Sequence, residues 1–120
     1  MDEHPNASLY RRVFESGNYA DALAEDVEWW EIGSPEPVRG REAFIRHRQE
    51  TADLWEITSH LHDVVANDTH IVGLVDATVT RDGDTLRYRE AEIMHVENGK
   101  FTHRWALADD TEAIAKIFAT

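Results

Sequence analysis

The chain lacks cysteine, has few prolines and glycines, and contains no long apolar run. Without cysteine it can form no disulfide, no thiol nucleophile and no zinc site of the cysteine type. No apolar stretch approaches the roughly 20 residues that a membrane-spanning helix needs. The first residues, MDEHPNASLYRR, do not have the basic and then apolar layout of a secretion signal. We therefore expect a cytoplasmic protein that does not contact membranes.

Basic residues are also scarce. The chain has 24 acidic and 12 basic residues, which gives a net charge of −12 with the histidines neutral. Such a surface repels phosphate backbones, and no clustered stripe of Lys and Arg offsets the repulsion. We therefore expect no nucleic-acid partner. The acidity is more typical of a surface that keeps a protein in solution than of an acidic binding surface.

The length and composition favour one domain. The chain has 120 residues, of which 42% are hydrophobic, and this is enough for a single core. There is no repeat and no linker, so residues 1–120 are predicted to form one domain. Apolar spacing predicts helices at about 7–17, 19–25, 41–54 and 110–119. A period of two between turn signals predicts strands at about 27–32, 57–66, 69–81, 84–97 and 100–108. This pattern is typical of an α+β fold with a curved, mostly antiparallel sheet that cups its helices around a pocket.

Hairpin turns predict which side chains share a face of the sheet. Asp82-Gly83 and Asn98-Gly99 are strong two-residue turn signals, and Asn67-Asp68 is a weaker one. Because such turns fix the register, they also fix the cross-strand partners. The pairs that follow include Met94 with His103, Glu92 with Trp105, Gly73 with Glu92, Val75 with Glu90, His62 with Gly73 and His60 with Val75.

This register places ionisable side chains on a face that is otherwise apolar. They are His60, His62, Glu90, Glu92 and His103. A buried carboxylate is costly unless it is paired, hydrogen-bonded or neutralised. One explanation is that the rim residues touch water and one structural His–Glu pair is buried. The other is a pocket in which these groups contact a ligand, with open space above Gly73.

The pocket interpretation gives a set of candidate site residues. We predict that Glu92 is a proton donor or acceptor, with its pKa raised by an apolar wall, and that His103 or His62 is its catalytic partner. The residues predicted to bind a small apolar or aromatic ligand are Trp30, Tyr88, Glu90, Met94, Trp105, Gly73 and His60. His60-Leu61-His62 could contribute to a metal triad, but the glutamate of the usual pattern is missing after it. We therefore expect no metal and no cofactor.

Several sequence segments resemble the SnoaL-like branch of the nuclear transport factor 2-like superfamily, which includes steroid delta-isomerase. They are EDVEWWEIG, RGREAFIRH, HDVVAND and TRDGDTLRYREAEIMHVENGKFTHRWALADD. The similarity extends from about Leu9 to Phe118. It implies a cone of three to four helices packed in the concave face of a curved mixed sheet of about five to six strands. It also implies a deep pocket and, frequently, a homodimer.

The resemblance transfers catalytic residues only in part. The acid that donates a hydrogen bond in isomerase-like members corresponds to Glu92, whereas their general base would fall near Trp30, which cannot abstract a proton. The aspartate of polyketide cyclases would fall on Ala106, and the Asp-Arg-Asp relay of epoxide hydrolases has no clear match. Three functions therefore stay open. The first is a cofactor-independent enzyme of the isomerase, dehydratase or cyclase type. The second is a non-catalytic domain that binds or senses a small molecule, and the third is a structural dimerisation module.

Overall fold

The computed structural model describes residues 3–119, so residues 1, 2 and 120 of the predicted domain lie outside the described part. The helices are α1 (Pro5–Ser16), α2 (Arg41–Thr51) and α3 (Thr111–Ile117). The strands are β1 (Leu23–Trp29), β2 (Val38–Arg39), β3 (Glu56–Ala66), β4 (His70–Arg81), β5 (Asp84–Glu97) and β6 (Lys100–Ala108). They form one sheet in the order β2-β1-β6-β5-β4-β3. Only β1 and β6 pair in parallel among these strands. The predicted α+β class, with helices on the concave face of a mixed sheet, is confirmed.

The predicted helix at 19–25 is wrong. Residues Ala20–Ala22 form a single 3₁₀ turn, and β1 begins immediately after it at Leu23. Leu23 is buried and pairs with Phe101 of β6. A short apolar segment fits a helix or a strand equally well, and here a parallel contact with a strand far away in sequence decides the outcome. The short strand β2, which pairs with β1 at the sheet edge, was not predicted.

The two strong hairpins form as predicted. Asp82 and Asn98 each have a φ of 52°, and the glycines after them also have positive φ values, as type I′ turns require. The register of β4 and β5 follows, with Gly73 opposite Glu92 as expected. The inner face of β5 is therefore the predicted one.

The predicted register of β6 is wrong beyond the turn. Val96 pairs with Phe101 as expected, but His95 then pairs with His103, so Thr102 is an extra residue in a β-bulge. The hydroxyl of Thr102 donates a hydrogen bond to the His95 carbonyl at 3.2 Å within this bulge. After the bulge, each side chain of β6 lies on the face of the sheet opposite to the predicted one. His103 and Trp105 consequently lie on the outer face, and Arg104, predicted to face outward, lies on the inner one.

A second irregularity changes β3. Its register shifts between Leu61 and Asp63, so that Leu61 pairs with Val75 and His60 pairs with Asp76. Asn67 forms a longer connection than the predicted two-residue turn, because its side-chain oxygen accepts hydrogen bonds from the Thr69 and His70 amides. His60 and His62 are therefore exposed, and the prediction that they lie on the inner face is wrong.

Helix α1 covers the space above Gly73. Tyr10 is fully buried, and a Cβ atom added to Gly73 would lie 2.5 Å from its ring. The glycine is needed because no side chain fits under the phenol ring. The open space expected above this strand is therefore filled by the protein's own tyrosine.

No helix within residues 3–119 combines the length and the apolar character that crossing a bilayer requires.

We expect Gly73→Ala to destabilise the fold by about 1–3 kcal/mol, because the added methyl group overpacks the contact with Tyr10. Urea unfolding measures the change. In a Tyr10→Leu background, which removes the ring, the same substitution should cost clearly less. Equal costs in the two backgrounds would show that the contact with Tyr10 is not the reason for the glycine.

Candidate functional site

A cavity of about 660 Å³ lies between the concave face of the sheet and the helices α2 and α3. Its apolar wall includes Trp55, Val75, Ile114 and Phe118. Its polar wall is formed by neighbouring positions of β5 and β6 on one side and by the last two turns of α2 on the other. An apolar concavity with a few convergent polar groups is the usual form of a small-molecule site.

The structure brings some of the predicted site residues together and separates others. Tyr88, Glu90 and Glu92 line the cavity. Met94 lies in the core among the residues that pack against α1, and Gly73 is covered by Tyr10. Among the residues predicted to contact the ligand or act in catalysis, those that do not line this cavity are Trp30, His60, His62, Met94, Gly73, His103 and Trp105.

The tryptophan of β1 that lines the cavity is Trp29 instead of Trp30. Trp30 follows the last residue of β1, and its indole nitrogen donates a hydrogen bond to Glu28 at 2.9 Å. Trp29 is buried and packs against Phe44 at 4.7 Å between ring centroids. No local sequence signal distinguishes the two adjacent tryptophans, since the pairing of β1 with β6 is irregular between Leu23 and Glu28.

Glu92 is buried and fully engaged by other side chains. One oxygen, Oε1, accepts a hydrogen bond from the Tyr10 hydroxyl at 2.6 Å and a longer one from Tyr19 at 3.4 Å. The other oxygen, Oε2, accepts hydrogen bonds from Nε and Nη2 of Arg104, each at 2.8 Å. Both carboxylate oxygens therefore have strong donors, in place of the histidines that were expected beside Glu92.

Arg104 is the counterion of this carboxylate. It is only 6% exposed, and its Nη1 donates a hydrogen bond to the Trp30 carbonyl at 2.7 Å. Its guanidinium lies over the Trp29 ring at 4.6 Å from the centroid. Burial by itself would lower the pKa of Arg104, but the nearby carboxylates, first of all Glu92 and Glu90, outweigh it and raise the pKa. The guanidinium is therefore a permanent positive charge in the wall of the cavity.

Glu90 differs from Glu92 although both lie on the inner face of β5. Its nearest cation is Nη2 of Arg104, at 4.0 Å, and its side chain is 12% exposed. Burial raises the pKa of the Glu90 carboxyl to about 7, the charge of Glu92 adds to the rise, and Arg104 opposes it. Glu90 thus lines the cavity with a carboxyl group that gains and loses its proton near neutral pH.

Tyrosines provide neutral donors around these acids. Burial raises the pKa of the hydroxyls of Tyr10, Tyr19 and Tyr88 above their ordinary value, and the neighbouring glutamates raise it further. All three phenols therefore keep their protons at neutral pH. The Tyr88 hydroxyl forms no hydrogen bond with any of residues 3–119, and it remains available to a ligand in the cavity.

A second group of ionisable side chains lies on the α2 side. His47 Nε2 is 3.9 Å from Oε1 of Glu31, and both side chains line the cavity. Arg48 stacks its guanidinium on Phe44 at 4.9 Å from the ring centroid. Within the described part of the chain, no three histidine or acidic side chains are arranged to hold a metal ion.

Sequence reasoning missed Arg104, Tyr10 and Tyr19 as members of the site. The bulge that turns Arg104 inward leaves no local signal in the sequence. The two buried carboxylates were nevertheless a signal, because they require a cation. The tyrosines come from the N-terminal segment, whose position over β4 and β5 no hairpin rule predicts.

Comparisons with known proteins agree with this architecture. The family model for the SnoaL-like domain matches residues 8–104. A nuclear transport factor 2-like protein of unknown function from Burkholderia pseudomallei K96243 has 19% identity and a TM-score of 0.78, over 96% of this chain and 98% of its own. A candidate SnoaL-like polyketide cyclase from Jannaschia sp. CCS1 has 14% identity and a TM-score of 0.79, over 100% and 99%. An LEH-like epoxide hydrolase from M. tuberculosis has 14% identity and a TM-score of 0.70, over 93% and 84%. No curated protein sequence matches the chain.

The raised pKa of Glu90 should make the free energy of unfolding depend on pH. In the folded state the pKa is about 7, above the ordinary 4.5, so the folded protein holds this proton more tightly than the unfolded chain does. The contribution to stability is complete below pH 4.5 and is lost as the pH rises through 7. Glu90→Gln should therefore match the wild type near pH 4.5 and exceed its free energy of unfolding by about 1–3 kcal/mol at pH 8.

Urea unfolding at several pH values measures this difference. Glu97→Gln is the matched control, because Glu97 is exposed at the end of the same strand. It should show no such pH-dependent gain. A Glu90→Gln protein that is less stable than the wild type at pH 8 would contradict the prediction.

Proposed function

This chain belongs to the SnoaL-like domain family, and from that premise we propose that its cavity performs general acid–base chemistry on a small, largely apolar carbonyl or hydroxyl compound. The observation that supports this proposal is Glu90, a cavity carboxyl with a pKa of about 7. An acid–base catalyst is most effective when its pKa is close to the working pH. A carboxyl group with such a pKa often lies beside a second carboxyl group that is bound to a guanidinium. The first can then transfer protons while the second holds the site together.

In the proposed reaction, ionised Glu90 removes a proton from a carbon that lies between a carbonyl group and a carbon–carbon double bond. Negative charge then develops on the carbonyl oxygen, where the Tyr88 hydroxyl, two residues away on the same face of β5, can donate a hydrogen bond. The protonated Glu90 then returns the proton to the far carbon of that double bond, so that the double bond moves into conjugation with the carbonyl group and the isomerisation is complete. No proton or electron is gained or lost overall.

Glu92 has a different part in this proposal. Its two oxygens bind Arg104, Tyr10 and Tyr19, so it holds the guanidinium in place next to Glu90. We propose that Glu92 is a positioning residue. The proton-transfer role predicted for it from the sequence stays a prediction, and the same holds for His103 and His62, which do not line the cavity.

A second candidate reaction uses the same base. Glu90, Arg104 and Glu92 form a row of carboxylate, guanidinium and carboxylate, with Arg104 Nη2 at 4.0 Å from Glu90 and 2.8 Å from Glu92. A base in such a row can also activate a water molecule. One structural neighbour is an LEH-like epoxide hydrolase, so ring opening of an epoxide by water is the alternative to proton transfer on carbon.

We expect the wild-type protein to accelerate hydrogen–deuterium exchange at the α-carbon of at least one compound in a panel of cyclic and aromatic enolisable ketones. Exchange in D₂O is followed by proton NMR. Because the ionised carboxyl is the reactive form, kcat/KM should rise with pH and level off above about 7. Glu90→Gln should lower the rate by about 100-fold or more.

Glu97→Gln, the exposed acid of the same strand, should leave exchange unchanged. Hydrolysis of styrene oxide, lost in Glu90→Gln, would favour the epoxide alternative. Ligands that bind without any exchange or hydrolysis would instead favour the non-catalytic binder. Exchange that survives Glu90→Gln would refute the role of Glu90.

We also propose that a second copy of the chain covers the outer face of the sheet. Leu74, Ala91 and Leu107 form a row across β4, β5 and β6 on that face. Leu107 is 65% exposed and Val65, on the same face of β3, is 57% exposed. Adjacent exposed apolar side chains on a regular sheet are typical of a surface that a symmetric partner buries.

Leu107→Asp should therefore convert a dimer into a monomer, because two carboxylates would be buried at each symmetric contact. Sedimentation velocity measures the change. Leu54→Asp is the control, since Leu54 is also exposed but follows α2, away from this face. A wild-type protein that sediments as a monomer at all concentrations would refute the dimer.

A further inference from the structure

The cation that lines the cavity on the α2 side points to the class of substrate. We propose that the cavity binds a small, partly apolar carboxylic acid, whose carboxylate is held by Arg48 while its carbon skeleton extends toward Glu90. This inference rests on the proposed function and adds to it the charged group by which the substrate is oriented.

Arg48 is held in place by aromatic rings. Its guanidinium carbon lies 4.9 Å from the ring centroid of Phe44, 5.7 Å from that of Trp29 and 6.0 Å from that of Tyr19. Stacking engages the flat face of a guanidinium and leaves the N–H groups at its edge available for hydrogen bonds. These N–H groups form a planar fork that matches the two oxygens of a carboxylate.

The other basic side chains of the cavity wall each lie next to a carboxylate. Arg104 pairs with Glu92 at 2.8 Å and is 4.0 Å from Glu90, and His47 is 3.9 Å from Glu31. Among residues 3–119, Arg48 is the one cationic side chain of the cavity wall that pairs with no carboxylate. A ligand with one negative charge would therefore meet an available cation at this position.

Size and long-range charge are compatible with this ligand. A cavity of about 660 Å³ has room for a bicyclic acid. The net charge of −12 repels anions at a distance. Salt screens such repulsion beyond about 8 Å at physiological ionic strength, so the nearest cation has the larger influence on a bound carboxylate.

The test compares 2-naphthylacetate with 2-naphthylacetamide, which has nearly the same shape but no charge. Isothermal titration calorimetry at pH 6, below the pKa of Glu90, limits repulsion between the two carboxylates. We expect the wild-type protein to bind the acid about tenfold more tightly than the amide, as one charge-assisted hydrogen-bonded pair allows. Arg48→Met should remove this preference and leave binding of the amide within about twofold.

Arg46→Met is the matched control. Arg46 and Arg48 are both exposed residues of the same helix, but Arg46 does not line the cavity, so the substitution removes the same charge without touching the site. It should keep the preference for the acid. Equal affinity of the wild type for acid and amide, binding of neither compound, or an equal loss in Arg46→Met would overturn the inference. None of these results affects the exchange assay, so loss of exchange in Glu90→Gln would still support the proposed function.

Discussion

The buried ion pair between Glu92 and Arg104 is the interaction on which the site depends. A carboxylate that is 4% exposed requires a counterion, and the guanidinium that supplies it is 6% exposed. The pair also connects separate parts of the fold. Tyr10 bonds to it from α1, and the carbonyl of Trp30 accepts a hydrogen bond from the guanidinium. Helix, sheet and the loop after β1 therefore meet at one pair of charges.

The pair explains why two glutamates on one face of one strand differ. Both oxygens of Glu92 accept hydrogen bonds. Glu90 lies 4.0 Å from the same guanidinium and is also close to the carboxylate of Glu92. Glu90 is therefore the one that stays close to its protonation midpoint at neutral pH. A carboxyl group with a pKa near neutrality, close to the permanent positive charge of a guanidinium, is well prepared for proton transfer.

The fold and half of the polar wall could be predicted from the sequence. The two-residue turn at Asp82-Gly83 sets the register of β5 against β4, and this placed Tyr88, Glu90 and Glu92 on the inner face. Turn rules describe how a hairpin begins, and they do not describe where a ladder later takes up an extra residue. Thr102 in β6 and His62 in β3 are such positions. The prediction consequently placed His103 of β6, and His60 and His62 of β3, on the wrong face of the sheet. The inward turn of Arg104 depends on a partner that is distant in sequence, so no local pattern could indicate it.

The bulge at Thr102 has a consequence for how relatives of this chain should be compared. In a strand, gaining or losing one residue exchanges the two faces, so the lining of a cavity can change from indole to guanidinium without any substitution. If the β6 sequences of two relatives are aligned without a gap and only one has the bulge, each functional residue after the bulge is matched to the residue next to its true counterpart. Ala106, which the resemblance matches to a catalytic aspartate of polyketide cyclases, lies opposite Glu92 here. A single insertion inside a strand can therefore change the chemistry of such a cavity as much as a substitution does.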